Sequence, residues 1–303
     1  MGHSHGTNDR SPGRGNRLLI ALVLNLGITV AEVIGGVMSG SLALIADAAH
    51  NLSDAGSILV SYIAWRISQR AATQRRTFGY ARAETVGALI NLTTLIMIGL
   101  YLLWEAGSRF LQPAEVVPTT VLIVGAIAFI EDVAAAWVLR KDLGSLNVRS
   151  TFLHMIADAL GTVAVIASGL AIMVWGPSAT WVDPAVTALI AIYVLIHGSS
   201  EIRASISVLM DSAPKGFDHD GLLAHLRATD GVVDVHHLHV WEISEGRTAM
   251  EVHLATDRND LAAATDMKEA LKESLHDHFQ VEHATIEIEH ADRVEHKKGQ
   301  DTT

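Results

Sequence analysis

Cysteine is absent from this 303-residue sequence, and its absence sets the first limits on what the protein can do. Without a thiol the chain can form no disulfide, no thiolate metal site and no cysteine-based catalytic centre. Nitrogen and oxygen must therefore hold any metal ion that binds. Histidine is the usual neutral ligand of zinc-like ions, and the sequence contains 16 histidines.

Charge is scarce in the long first part of the sequence, although the chain carries 33 acidic and 22 basic residues. Apolar runs dominate up to about Ser200, whereas 20 of the acidic residues follow Met210. This division predicts an apolar membrane domain followed by a domain of soluble composition. A cleaved signal peptide is not expected, because the first apolar run is long enough to cross a membrane and further runs follow it.

A helix needs about 20 residues to cross a bilayer, and the sequence contains six apolar runs close to this length. Their approximate bounds are 17–38, 42–67, 83–110, 119–139, 151–175 and 184–199. The loops after the first, third and fifth runs contain no Lys or Arg, whereas basic residues collect at the opposite ends. Because basic loops stay on the cytoplasmic side, we expect a multi-pass protein of the inner (plasma) membrane with both termini cytoplasmic.

From Gly216 onward the pattern changes to that of a small soluble domain. Alternation at 232–243, 248–255 and 284–289 predicts strands, and helical periodicity is seen around 222–226 and over 260–279. This order of helix, two strands, helix and strand is typical of a ferredoxin-like α+β fold. We therefore expect a disordered tail over 1–15, an α-helical domain with six transmembrane helices over 16–208, a cytoplasmic α+β domain over 209–292, and a disordered tail over 293–303.

A His-x-x-x-Asp pattern occurs twice inside the apolar runs. His50 and Asp54 lie in the second run, and His154 and Asp158 lie in the fifth. Residues four apart share one helix face, so two such helices can supply the four N and O ligands of a tetrahedral zinc-like site. The alternative is that each pair only hydrogen-bonds its neighbours and stabilises helix packing. Because an Asp inside the bilayer is costly, the repetition of the pair favours the metal site.

Six further acidic residues lie within the apolar runs: Glu32, Asp47, Glu84, Glu105, Glu131 and Asp132. Asp47 precedes His50 by about one turn, and we leave it outside the predicted ligand set, because a structural or proton-handling role fits its position as well as ligation does. Glu131 and Asp132 lie deep in the fourth run, and the sequence alone assigns them no role.

Several motifs resemble those of the cation diffusion facilitator family, in particular its bacterial zinc, cadmium and cobalt efflux members. The resemblance extends from about Arg17 to Glu289. Its motifs are Ser41-Leu-Ala-Leu-Ile-Ala-Asp47-Ala-Ala-His50-x-x-x-Asp54, Thr77-Phe-Gly-Tyr-Ala-Arg-Ala-Glu84, Ser145-Leu-Asn-Val with the His154 pair, Asp183-Pro184, and His237-x-His239-x-Trp241.

This resemblance implies a homodimeric, non-enzymatic carrier that exchanges a cytoplasmic metal ion for protons by alternating access. It places the transport site on the two His/Asp pairs, with Zn²⁺ as the transported ion and Cd²⁺, Co²⁺ or Ni²⁺ as further candidates. It assigns metal binding and dimerisation to 209–292, and it implies that Arg82 pairs with Asp211 to hold the protomers together. Lipid, protons, metal ions and a second copy of the chain are the expected partners, and no nucleic acid is expected.

Strand alternation gathers polar side chains on one face of the small domain. The set consists of His237, His239, His253, Glu287 and Glu289. Polar outer faces are ordinary on antiparallel sheets, so this face is solvated, used in dimer contact, or a second metal site. The family resemblance favours a site for regulatory zinc, with His237, His253 and Glu287 as its main ligands and the other two as auxiliary ones.

Two other functions could use the intramembrane residues. A membrane-embedded metalloenzyme would need an open coordination position and a general base, and the sequence contains no His-Glu-x-x-His motif. A membrane-bound metal sensor would use the small domain as its output. Only a carrier would move metal ions across the membrane against a pH gradient.

Overall fold

A computed structural model of the chain describes residues 14–68, 70, 72–139, 146–244 and 246–294. The chain divides into two compact units, Met1–Ser61 with Ile90–Ile202, and Tyr62–Leu89 with Arg203–Thr303. The tails expected at 1–15 and 293–303 lie outside the described residues, except that 14–15 and 293–294 are helical.

Six helices of 22 to 30 residues occupy the predicted apolar runs. They are α1 (Arg14–Ser39), α2 (Leu42–Ser68), α3 (Ala83–Leu111), α4 (Pro118–Leu139), α5 (Leu146–Trp175) and α6 (Val182–Leu209). Among the described residues, α3, α4, α5 and α6 contain stretches long and apolar enough to cross a membrane, and α1 adds a shorter apolar stretch, Asn25–Ser39. The predicted α-helical membrane domain is confirmed, and its second helix carries Asp47, His50 and Asp54.

A carboxylate of α6 holds the start of α2. Asp183, which is fully buried, accepts hydrogen bonds from the Ser41 hydroxyl at 2.5 Å and from the Leu42 backbone N–H at 2.9 Å. Backbone N–H groups at a helix start lack partners within the helix and attract negative charge. The residue before them, Gly40, has a φ of 72°, and its carbonyl accepts a hydrogen bond from Arg109 of α3. These contacts fix the position of α2 and of the polar residues further along it.

Small residues let α4 and α5 pack closely. A Cβ at Gly125 of α4 would lie only 2.9 Å from the Ile166 side chain of α5. Close packing through small residues is a common means of helix association in membranes, where lipid is as apolar as the helix surface. In this arrangement the hydroxyl of Thr162 on α5 lies 2.9 Å from the Asp132 carboxylate on α4.

A three-stranded sheet forms the centre of the second unit. Its strands are β1 (Val232–Ser244), β2 (Arg247–Thr256) and β3 (Val281–His290). β2 lies in the middle, antiparallel to β1 and parallel to β3. The helices of this part are α7 (His219–Ala228), α8 (Leu261–Phe279) and the short α9 (Ala291–Val294). The order α7, β1, β2, α8, β3 confirms the predicted α+β domain.

The core of this unit joins α7 and α8 to one face of the sheet. Leu222 of α7, Leu275 of α8 and Met250 and Leu254 of β2 are fully buried in one apolar cluster. Successive side chains on a strand point to opposite faces, so His253, which is next to Leu254, points away from this core. The burial of the apolar face therefore determines which histidines point away from the core.

Asp183→Ala should destabilise the membrane domain, because it leaves two buried donors at the start of α2 without their acceptor. Each unsatisfied buried group costs about 1–3 kcal/mol, so the melting temperature of the detergent-solubilised protein should fall. Asp183→Asn keeps one carbonyl oxygen and should lose less. Tryptophan fluorescence during heating measures the effect, and equal melting temperatures for Asp183→Ala and the unaltered protein would contradict the capping role.

Candidate metal centres

The two His/Asp pairs meet between α2 and α5. His50 Nε2 lies 3.1 Å from Asp158 Oδ1, and His154 Nε2 lies 3.1 Å from Asp54 Oδ2. The distances within each helix are longer, 3.8 Å from His50 to Asp54 and 3.7 Å from His154 to Asp158. Each histidine is therefore paired most closely with the aspartate of the other helix, and all four residues belong to the first unit.

The geometry of these four side chains is close to that of a tetrahedral metal site. Each offers one ligand atom, and the four atoms lie within 4.8 Å of one another. In a tetrahedral zinc site the ligand atoms are about 3.3 Å apart, because each lies about 2.0 Å from the ion. The two imidazole rings have centroids 5.9 Å apart and are inclined by 75°. A small contraction would therefore bring two nitrogens and two oxygens to coordination distance.

Burial divides the four residues into two pairs. The side chains of His50 and Asp158 are 10% and 7% exposed, whereas those of His154 and Asp54 are 33% and 35% exposed. The more exposed pair lies nearer the C-terminal end of α2 and the N-terminal end of α5. The group is thus more accessible from one end of the helices than from the other.

An aromatic residue of α6 that the sequence motifs do not predict also contacts the group. The ring of Tyr193 packs edge-on against that of His50, with centroids 6.1 Å apart, and lies parallel to the ring of His197 at the same separation. Spacing of four residues predicts that Tyr193 and His197 share a helix face. No feature of the sequence relates that face to α2.

Asp47 does not join the four residues. Its carboxylate lies 3.2 Å from the Thr162 hydroxyl, and the same hydroxyl lies 2.9 Å from the Asp132 carboxylate. Thr162 follows Asp158 by one turn on α5, so the spacing could have placed it on the same face. These residues form a separate polar contact next to the His/Asp group.

In the second unit, histidines of β1 collect around His253 of β2. His236 pairs with His253 across the strands, and β1 then bulges, so that His239 pairs with Glu251. His237 lies in the bulge with a φ of 51°, and its ring centroid is 4.7 Å from that of His253 and 4.6 Å from that of His239. The bulge brings the rings of His236, His237 and His239 to one region.

Two groups of possible ligands result in this unit. They are His236 with His253 and Glu289, and His237 with Glu251 and His253. His236 Nε2 lies 3.2 Å from a Glu289 carboxylate oxygen, and His253 Nε2 lies 3.4 Å from one of Glu287. Because each group has three members, a tetrahedral ion would take its fourth ligand from water, a neighbouring side chain or another chain.

Strict strand alternation does not predict that His236 belongs to this group. Alternation assigns His236 to the face opposite His237, but the bulge brings both against His253. A left-handed conformation at a residue other than glycine has no reliable sequence signal. Glu251, by contrast, lies two residues from His253 on β2, so alternation alone could have identified it.

The predicted charge pair forms within the second unit. The Arg82 guanidinium donates a hydrogen bond to the Asp211 carboxylate. Both partners belong to the same chain, and their side chains are 35% and 59% exposed. The pair is a surface contact in a single chain.

Comparisons with known proteins match both parts of the chain. Residues 18–210 match the family described as the cation efflux transmembrane domain, and residues 214–291 match the cytoplasmic domain of cation efflux proteins. A similar protein is the cadmium, cobalt and zinc/H(+)-K(+) antiporter of Bacillus subtilis (strain 168). It is 34% identical over 296 residues, which cover 95% of this chain and 92% of that protein.

Two further relatives are named for metal transport. The metal cation efflux system protein CzcD of Cupriavidus metallidurans is 36% identical over 291 residues, covering 95% of this chain and 90% of that protein. The zinc transporter ZitB of Pectobacterium atrosepticum is 34% identical over 296 residues, covering 96% and 89%. The resemblance seen in the sequence motifs is thus confirmed, and the chain belongs to the cation diffusion facilitator family of cation-efflux membrane proteins.

Proposed function

We propose that the protein exports Zn²⁺ from the cytoplasm in exchange for protons, with Cd²⁺ and Co²⁺ as further substrates. The observation that carries this proposal is the convergence of His50, Asp54, His154 and Asp158 between two helices of the membrane domain, with four ligand atoms within 4.8 Å. Relatives that match nearly the whole chain are named as zinc, cadmium and cobalt transporters.

The ligand types support a zinc-like substrate. Imidazole nitrogen suits Zn²⁺ and its neighbours among the transition metals, whereas sites built only from carboxylate and carbonyl oxygen suit Mg²⁺, Ca²⁺ and Mn²⁺. Two neutral imidazoles, two carboxylates and one dication also sum to zero charge. A neutral assembly lowers the cost of carrying the ion through a low-dielectric region.

Proton exchange follows from the requirements of metal binding. Metal ligands must be neutral imidazole and ionised carboxylate, so an entering ion displaces protons from the site. In the metal-free site the 3.1 Å contacts between each histidine and an aspartate suit an imidazolium facing a carboxylate. Protons and metal ion thus compete for the same four side chains, and protons arriving from outside would drive the metal off.

Accessibility supports loading from the cytoplasm. With both termini cytoplasmic, the C-terminal end of α2 and the N-terminal end of α5 face the cell interior, and the more exposed pair, Asp54 and His154, lies at those ends. His50 and Asp158 lie deeper and are nearly buried. Release to the outside then requires the helices to move around a fixed midplane site, as in other carriers.

The second unit supports a proposal of regulatory zinc binding and homodimer formation. The histidine and glutamate groups around His253 each offer three ligands, and a second copy of the chain could complete a site. The exposed Arg82–Asp211 pair would stabilise a single chain by only about 0–1 kcal/mol. The match to the cation-efflux cytoplasmic domain over 214–291 agrees with this assignment.

The rival functions fit the geometry less well. A metalloenzyme keeps a coordination position open for water, whereas the four intramembrane side chains would complete a tetrahedral shell. A metal sensor would bind the ion without moving it. Flux in reconstituted vesicles separates the carrier from both.

His50→Ala should abolish zinc transport, because it removes one of four ligands and leaves Asp158 without its partner. Loss of an outer-shell group already costs a metal site about 10–100-fold, so loss of a ligand should reduce flux by at least about 100-fold. The measurement is zinc accumulation in proteoliposomes under an imposed pH gradient.

His197→Ala is the control for that substitution. His197 lies on α6 near the group but is outside the four-residue set, and its replacement should retain flux. Undiminished zinc accumulation by the His50→Ala protein would rule out the proposed ligand set.

His253→Ala should reduce zinc binding in the second unit, because both groups of ligands contain His253. Titration calorimetry on full-length protein that also carries His50→Ala isolates this binding from the transport site. We expect fewer zinc ions per protomer, whereas His219→Ala, at an exposed histidine of α7, should leave the number unchanged. Equal zinc content in the two proteins would refute the proposed regulatory site.

A further inference from the structure

A second polar cluster lies beside the His/Asp group, toward the opposite end from its exposed pair. It consists of Asp47 on α2, Asp132 on α4 and Thr162 on α5, all at most 6% exposed. Asp47 precedes His50 by one turn, and Thr162 follows Asp158 by one turn. In the proposed orientation both steps lead away from the cytoplasm, so the cluster occupies the outward side of the transport site.

The hydrogen atoms of this cluster can be counted. The Thr162 hydroxyl lies 2.9 Å from Asp132 Oδ2, 3.2 Å from Asp47 Oδ2 and 3.2 Å from the backbone carbonyl oxygen of Asp158. A hydroxyl has one hydrogen to donate, and a backbone carbonyl can only accept. One hydrogen cannot fully satisfy three acceptor oxygens, so a second hydrogen on one of the two carboxyl groups would complete this network.

A neighbouring carboxyl group provides an independent indication. Glu32 of α1 is fully buried, and one of its oxygens accepts a hydrogen bond from Asn51 at 3.0 Å. Its other oxygen has no hydrogen-bond partner among the described residues. Glu32 interacts electrostatically with both Asp47 and Asp132. A third buried carboxyl group thus lies within electrostatic range of the cluster, which raises the cost of ionising all three groups together.

The surroundings of the cluster supply little of that charge. The charged or titratable neighbours of Asp47 and Asp132 are Glu32 on α1, His50 on α2, Glu131 on α4 and Asp158 on α5. Within the described part of the chain, no Lys or Arg forms an ion pair with Asp47, Asp132 or Glu32. Ionised carboxylates in such a place are costly, and a proton is the smallest ligand that removes the charge.

We propose that Asp47 and Asp132, bridged by Thr162, form a second proton-binding site that is separate from the four metal ligands. The pair takes up a proton from outside water after zinc has left on that side, and it releases that proton to cytoplasmic water when the next zinc ion enters the metal site. This inference rests on the proposed zinc/proton exchange, and it assigns one of the exchanged protons to this pair of carboxyl groups. The bond that forms and breaks is the O–H bond of one carboxyl group, and water on the accessible side accepts or supplies the proton.

Asp132→Asn tests the proposal. An amide has the shape and neutrality of a protonated carboxyl group, but it does not bind and release a proton during the transport cycle. The full-length variant is reconstituted in proteoliposomes, and zinc flux and proton flux are recorded together. We expect zinc affinity within about 3-fold of the unaltered protein and a loss of about one exchanged proton per zinc ion. The infrared C=O band of a buried protonated carboxyl should also disappear.

Glu131→Gln is the matched control. Glu131 is the adjacent acidic residue on α4, and the Thr162 contacts do not include it. Its replacement should keep both the proton-to-zinc ratio and the infrared band. An Asp132→Asn protein that keeps the unaltered ratio and band would overturn the proposal, whereas absence of zinc flux in the unaltered protein would instead overturn the proposed function.

Thr162→Val provides a second variant if Asp132→Asn does not fold. It preserves both carboxyl groups and the branched shape of the side chain but removes the bridging hydroxyl. We expect the protonated-carboxyl band to shift, because its hydrogen-bond partner is lost. An unchanged band would show that no proton is held against Thr162, and would contradict the proposal.

Discussion

The pairing of each histidine with the aspartate of the other helix is the interaction on which the membrane domain depends. Two contacts of 3.1 Å connect α2 and α5, one between His50 and Asp158 and the other between His154 and Asp54. Carboxylates within a bilayer cost a few kcal/mol unless they are compensated, and these contacts provide the compensation in the absence of metal. The same atoms become ligands when the ion enters, so one arrangement serves both states.

Much of this arrangement follows from spacing and some of it does not. The His-x-x-x-Asp repeat places each pair on one helix face. The apolar runs predict six helices, two of which carry these pairs. Spacing cannot show that the closer contacts cross between α2 and α5, since that depends on how the two helices pack. The position of Tyr193 against His50 is also set by packing alone. In the sheet, alternation grouped the polar residues, but the bulge at His237 brought in His236, which alternation excludes.

Polar contacts in the first unit form a series along the helices. Asp54 and His154 are partly exposed, His50 and Asp158 are nearly buried, and the cluster around Thr162 follows one turn beyond. Asp183 of α6 fixes the start of α2, and this contact sets the position of the polar residues of α2 along α6. The order agrees with a carrier whose inner half admits the metal ion while its outer half holds compensating protons.

X-ray absorption at the zinc edge tests the central claim most directly. The sample is full-length protein with His253→Ala, loaded with one zinc ion per protomer in the membrane domain. The account predicts a four-coordinate shell of nitrogen and oxygen at about 2.0 Å with two imidazoles, and with one imidazole fewer after His154→Ala. A shell that keeps the same number of imidazoles after that substitution would show that the four side chains do not hold the ion.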